Sequence, residues 1–278
     1  MTMTFFNKNK AELSGKEAQA YDEIRAFKKP DVGIKQWATE AVSGRLKSLA
    51  EYLEDSPPGD AIDTASAALL EIINDVSIWS VRESKIWEEF QDANLDVAGI
   101  EDIEKLSLEA IEEVLGRLSL KYRVAALVQG MSVGSFGLVG VLAGLPSIIA
   151  MSLRAIAEYA TYYGFDVTSK SERPYVLMIL AVAAASGEAR QDLLKQVEDY
   201  GVSVEDGGEK RAAMPSTSEV VDHLAVRLVR GKMSQTIPLA GALIGASFNQ
   251  AFVKHVCESA QQLLRERWLI RRYHEPSA

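Results

Sequence analysis

The residues best placed to do chemistry lie in Gly130-Met131-Ser132-Val133-Gly134, a G-x-S-x-G run. In α/β-hydrolases such a run sets a nucleophilic serine on a strained turn between a strand and a helix, with a carboxylate and then a histidine later in the chain. Asp166 and His223 follow here in that order. The surroundings do not fit: the residues before Gly130 have helical spacing, no parallel sheet is evident, and no glycine-rich oxyanion segment precedes the run. Small residues in closely packed helices give the same spelling. Ser132 is therefore expected to be structural, with an esterase or peptidase using Ser132 kept as the alternative.

Metal and nucleotide chemistry have less to stand on. The three histidines, His223, His255 and His274, and the single cysteine, Cys257, form no H-E-x-x-H or paired C-x-x-C motif. His255 and Cys257 are two apart, so a helix points them to different sides. Gly134, Gly137 and Gly140 are spaced G-x-x-G-x-x-G, which is not the dinucleotide fingerprint, and Gly231-Lys232 lacks the rest of a phosphate loop. No metal and no cofactor is expected, and no small-molecule ligand can be named. One cysteine also excludes an intrachain disulfide framework and suits a reducing compartment.

The elements that must position these residues are helical throughout. Ser14 and Glu17 spell a capping box before a helix that runs to about Phe27 and stops at Pro30. A helix is predicted from Ile34 to Leu53, ahead of the Pro57-Pro58-Gly59 break. Asp60 or Asp63 then caps a long helix carrying Ile62, Leu69, Ile73, Val76 and Trp79 at steps of three and four. Asn94 to Asp102 reads as a connection, and Ser107 with Glu109 opens a helix that feeds into an uncharged stretch. Pro174 starts the apolar run Tyr175–Ser186, and Glu188–Tyr200 is polar and amphipathic. Gly201–Ser216 reads as a mobile loop. Three more helical blocks, Ser218–Val229, Pro238–Val256 and Cys257–Arg272, complete an all-α, multi-helix bundle.

The uncharged stretch between Arg123 and Arg154 is long enough to cross a bilayer, but Gly130, Gly134, Gly137, Gly140, Gly144 and Pro146 interrupt it. Two helices joined near Gly134–Gly144, with Pro146 in the first turn of the second and Gly164 closing it, fit better than one continuous span. This glycine-rich apolar hairpin is expected in the core. The pairs Gly130/Gly134, Gly140/Gly144 and Gly241/Gly245 are each four apart, which bares backbone on one helix face and lets a neighbouring helix approach closely. Asn249 extends the Gly241–Gly245 face. That pairing works equally within lipid and within a water-soluble core.

Net charge is −9 and unevenly distributed: residues 1–120 hold 13 Lys/Arg against 24 Asp/Glu. An acidic front and a locally basic tail exclude general nucleic-acid binding. The N-terminus has no apolar core with a cleavage site and does not read as a signal peptide. Near the C-terminus Arg265, Arg267, Arg271 and Arg272 surround Trp268, a composition that suits a lipid headgroup layer. The alternative is a terminal helix packed on the bundle, its arginines bridged to the acidic front half.

Several blocks resemble the EcsC family: Gly137-Leu138-Val139-Gly140 with Leu145-Pro146, Tyr163-Gly164-Phe165-Asp166, Glu172-Arg173, and the apolar run Val176–Leu180. The tail, Pro238 to Phe252 and then Arg265-Glu266-Arg267-Trp268-Leu269, is similar to that family's C-terminal signature. The resemblance implies a helical domain over about 30–278, with residues 1–29 as a helical extension. That family takes its name from a protein encoded beside an ABC transporter, which implies a link to membranes or export and supplies no catalytic residues. The expected function is a non-catalytic, cytoplasmic protein peripheral to the inner membrane, partnered by a membrane surface or a membrane complex such as an ABC transporter. A soluble scaffold that binds another protein is a further alternative.

Overall fold

A computed structural model describes residues 13–29, 59–134, 137–169, 172–185, 187–205, 221, 225 and 241–273; for stretches such as 132–134, 137–143 and 241–248 it describes the backbone alone. Among the described residues every regular element is helical and none is a strand. The predictions for Ile34–Leu53, for most of Ser218–Val229, for the start at Pro238, and for His223 and His274 lie outside the described residues.

Helix α1 (Gly15–Lys28) starts on the expected capping box: the Ser14 backbone N–H donates to the Glu17 carboxylate at 2.7 Å, and the Glu17 N–H donates to the Ser14 hydroxyl at 3.3 Å. Its face Ala20, Tyr21 and Ile24 is buried in the common core, so this segment is packed with the rest of the bundle. Helix α2 (Gly59–Asn74) does not continue to Trp79 as the spacing predicts. The Asp75 side chain accepts from the Ser77 N–H at 2.9 Å and starts a separate 3-10 turn, Val76–Trp79. That turn folds the Trp79 indole back so that its N–H donates to the Ile73 carbonyl at 3.0 Å.

Helix α3 (Glu83–Asp92) closes on Asn94, at φ 61, with the Leu95 N–H bonded to the Phe90 carbonyl. The expected connection contains a short helix at its end, α4 (Ile100–Ile103). Ser107 caps α5 (Leu108–Leu115) by accepting from the Ala110 N–H. Gly116 separates α5 from α6 (Leu118–Gly134), and α7 (Gly137–Tyr162) follows. The α6–α7 pair is a hairpin: Lys121 meets Glu158 at 2.6 Å near its base, and the Gln129 side chain donates to the Ser147 hydroxyl nearer its tip.

Pro146 lies inside α7, not in its first turn, because α7 already begins at Gly137. A proline there removes one helix hydrogen bond and costs about 3 kcal/mol. The fully buried Ile148, Ile149, Leu153 and Ile156 that follow supply the packing that holds the helix through it. At its other end Gly164 takes φ +79; its N–H reaches the Thr161 carbonyl and the Phe165 N–H reaches the Ala160 carbonyl, the paired pattern of a glycine stop.

Helix α8 (Arg173–Ala184) has Pro174 in its first turn and is buried from Tyr175 to Ala184. Helix α9 (Gly187–Glu205) runs past Tyr200 into the segment predicted as loop. The two C-terminal blocks are one helix, α10 (Gly241–Tyr273), with no break between Val256 and Cys257. At 1.5 Å per residue α10 is about 50 Å long. It is the rod against which α1, α6, α7, α8 and α9 all pack. Glu112 pairs with Arg265, and Ser119 hydrogen-bonds Cys257, so moving forward through α5 and α6 means moving backward along α10. Helix α6 therefore runs antiparallel to the first half of the rod. Among the described residues no helix is long and apolar enough to cross a membrane.

Candidate functional site: an arginine junction on the last helix

Arg265, Glu266 and Arg267 are consecutive on α10 and all buried, at 3%, 5% and 1% exposure. Consecutive helical residues point about 100° apart. The three charges therefore fan out to three different places, and each finds partners there. Arg265 reaches Glu23 on α1 at 2.6 Å and Glu112 on α5 at 2.5 Å. Glu266 meets Lys28 at the end of α1, and the same ammonium reaches Glu198 on α9 at 2.6 Å. Arg267 forms a two-pronged pair with Glu172, at 2.5 and 2.8 Å, and a third bond to Glu205 at 2.9 Å.

Aromatic rings complete the Arg267 site. The guanidinium carbon lies 4.4 Å from the Phe165 ring centre and 4.7 Å from that of Tyr175, within cation–π range. The Tyr175 hydroxyl donates to the Leu263 carbonyl at 2.9 Å. One turn further along, Arg271 bonds Glu205, Glu104 and the Gly164 carbonyl, each at 3.0 Å, and its guanidinium carbon lies 4.1 Å from the Phe165 ring centre. One rod thus reaches α1, α5, α9 and the α7–α8 turn through its charged side chains, in addition to its apolar packing.

Two carboxylates share one ammonium at the Lys28 corner. Burial pushes the Glu266 carboxyl up, against the pull of Lys28, and Glu198 adds to the rise. Burial alone would lower the Lys28 ammonium, yet Glu266 and Glu198 hold it above its ordinary value. These groups hold charge in place, and their donors and acceptors already face one another. The nearby thiol is no better suited to chemistry: burial pushes Cys257 up to about 12, more than Ser119, Tyr159 and Arg123 pull it down.

This geometry corrects the expected headgroup face. Arg265, Arg267 and Trp268 are buried, Arg271 is partly covered, and Arg272 alone of the five is exposed. Carboxylates from α1, α5, α8 and α9 have taken the arginines, and the bridges from Arg265 and Arg271 to Glu23, Glu112 and Glu104 are those of the packed-helix alternative. Trp268 is core, with Arg272 stacked over it at 5.1 Å. Glu172, Glu205, Phe165 and Tyr175 were not anticipated as partners of Arg267. The available signal was that Phe165, Glu172 and Arg267 all fall in the blocks that carry the family resemblance.

The serine constellation is not assembled. Ser132 lies within the helical span of α6 and not on a strand-to-helix turn. Asp166 is past the far end of α7, about 25 Å away along the axis from the level of Ser132. There it accepts from the Thr168 N–H and hydroxyl in a local turn. His255 pairs with Glu258 at 3.5 Å, and among the described residues no cluster of His, Cys, Asp and Glu could hold a metal ion.

Gly130 and Gly144 are buried; Gly134 ends α6, Gly140 lies in α7, and Gly241 opens α10 with Gly245 one turn on. Asn249 is buried at 2%, and its Oδ1 has no hydrogen-bond donor among the described residues.

The sequence profile of the EcsC protein family matches residues 18–269. "Uncharacterized protein YdbA" of Bacillus subtilis (strain 168) is 28% identical over 63% of this chain, and the match spans 64% of that relative, a little under two thirds of its length. "Protein EcsC" of the same organism is 24% identical over 60% of this chain and 68% of its own. No solved structure matches. With a match that begins inside α1 and ends inside the arginine junction, the chain belongs to the EcsC protein family.

Proposed function

We propose that this chain is a non-catalytic accessory protein that docks peripherally on the cytoplasmic side of the inner membrane and assists a membrane process such as export. The observation that carries the reading is a partition of charge. Between Glu113 and Glu158 there is no Asp or Glu, and Arg117, Lys121, Arg123 and Arg154 all lie at the base of the α6–α7 hairpin, leaving its stem and tip uncharged. A basic collar beside an apolar stretch complements a bilayer with anionic headgroups, each Lys or Arg near the surface contributing about 1 kcal/mol. The transport link rests on the family resemblance. The antiparallel register of α6 and α10 brings Gly130/Gly134 level with Gly241/Gly245, which favours their reading as close helix contacts.

Flotation of the full chain with phosphatidylglycerol-containing vesicles, against pure phosphatidylcholine, tests this. Binding to the anionic vesicles that weakens with salt is expected; no flotation with either rejects the membrane reading. The Ser132 hydrolase alternative loses its support from the helical setting of Ser132. Labelling of the native protein by a serine-directed phosphonate, abolished in Ser132→Ala, would restore it.

A further inference from the structure

Helix α6 has apolar residues on both faces, and among the described residues one face is buried while the other is exposed. Leu118, Tyr122, Ala126 and Gly130 are buried against the bundle. On the opposite side Leu120, Val124, Val128 and Met131 are 57%, 52%, 54% and 46% exposed. Their steps of four, four and three place them in one stripe along the helix. A helix that is hydrophobic all round belongs in a protein interior or in lipid, and the bundle supplies only half of that surrounding.

We propose that this stripe is the docking surface for an anionic bilayer and that the face of α6 that carries it enters one leaflet without crossing. The proposal rests on the membrane reading above and adds which face touches lipid and how deeply. Two features select lipid as the occupant. The first is charge: Arg117 and Lys121 are exposed beside the outermost stripe residue, Lys121 in a pair with Glu158 at 2.6 Å, Arg154 is exposed on α7 at the same end, and no carboxylate lies between Glu113 and Glu158 in the sequence. A negative plane directly adjoining an apolar layer satisfies both the collar and the stripe.

The second feature is length. From Val124 to Gly134 the helix advances about 15 Å at 1.5 Å per residue, and the hydrocarbon of one leaflet is half of about 30 Å. Arginine and lysine at the base would then sit at headgroup level with their stems along the stripe. Within the hairpin the Gln129 amide nitrogen already donates to the Ser147 hydroxyl, while its Oε1 has no donor among the described residues.

The test uses the full chain with single substitutions Val124→Cys, Val128→Cys or Met131→Cys carrying an environment-sensitive fluorophore, and Glu101→Cys on exposed α4 as the remote control; buried Cys257 stays unlabelled. Phosphatidylglycerol vesicles should shift the three stripe probes to the blue and raise their emission several-fold, with quenching by brominated acyl chains, while the control stays unchanged. Val124→Asp with Val128→Asp should lower vesicle partition about tenfold or more and leave the melting temperature unchanged, since both side chains are exposed. Flotation of the chain with stripe probes that remain water-like overturns this proposal and leaves the membrane reading standing. Failure to float with any vesicle removes both. A blue shift without vesicles that grows with protein concentration assigns the stripe to a second copy and also overturns it. Undiminished partition of the double aspartate variant does the same.

Discussion

Arg267 is the least exposed charged residue among those described. It is 1% exposed, held by Glu172 and Glu205, and sandwiched near Phe165 and Tyr175. Removing one partner of a buried pair strands the other, at a cost of about 3–5 kcal/mol. Arg267→Ala should therefore lose that much in urea unfolding, a large share of the 5–15 kcal/mol typical of a domain. Arg267→Lys keeps the charge but neither the two-pronged bond nor the flat stacking surface, so it should recover little. A lysine variant as stable as the parent would show that charge alone matters here. On α1, burial pushes the Glu17 carboxyl up, but the Ser14 backbone and hydroxyl, the Tyr273 hydroxyl and Arg272 outweigh it and leave it below its usual value. Glu23 is likewise lowered, burial being outweighed by Arg265 and Gln19. A carboxylate lowered by folding contributes stability above its unfolded value, near 4.3, and loses it as pH falls through the folded one. Hydrogen exchange should therefore show α1 losing protection below about pH 4 before the buried α8 does; simultaneous loss would contradict the assignment.

At the scale of elements, helix ends with side-chain or glycine signals were readable, and helix continuity was not. Ser14/Glu17 and Ser107 cap where the sequence placed them, and Gly164 stops α7 as expected because its φ of +79 suits glycine. Gly164→Ala should destabilise by about 1 kcal/mol or more. The added methyl would meet the Ile103 and Glu104 side chains at ordinary contact distances, 3.5 and 3.6 Å, so the cost is backbone strain and not a clash. Thermal unfolding checks this, and an unchanged midpoint would mean that the turn relaxes. Continuity depends on tertiary packing, which spacing does not record. Nothing local predicts that α10 passes Val256 without a break; the buried Val253, Val256, Cys257 and Ala260 hold it straight along the bundle. Pro146 suggested a helix start for the same reason, since local rules price the proline and omit the buried Ile148–Ile156 segment. The junction was half legible: the blocks carrying Phe165, Glu172 and Arg267 stood out, but which acid takes which arginine is fixed by how α8, α9 and α10 cross. The exposure of the α6 stripe was not legible at all, because the α6 sequence is apolar on every side.

Over the whole molecule, charge does two jobs that salt can separate. The front half and α10 are joined through buried or half-buried pairs, Lys28–Glu266 and Arg265–Glu112, and Arg267 is held likewise by Glu172 at the start of α8. The collar of Arg117 and Arg154, with Lys121 beside them in a surface pair with Glu158, is exposed and would act across water. Going from about 0.1 M to about 1 M salt shortens the screening length from about 10 Å to about 3 Å. Pairs in contact inside protein hardly sense that change, whereas attraction between a surface collar and a charged membrane depends on it. The urea midpoint should therefore stay nearly constant across this range while partition into phosphatidylglycerol vesicles falls by an order of magnitude or more. The apolar stripe sets the floor: the binding that survives high salt should be the part lost in the Val124→Asp, Val128→Asp variant. A midpoint that drops in parallel with partition would place the salt-sensitive charges inside the bundle, and the collar would then have no separate role.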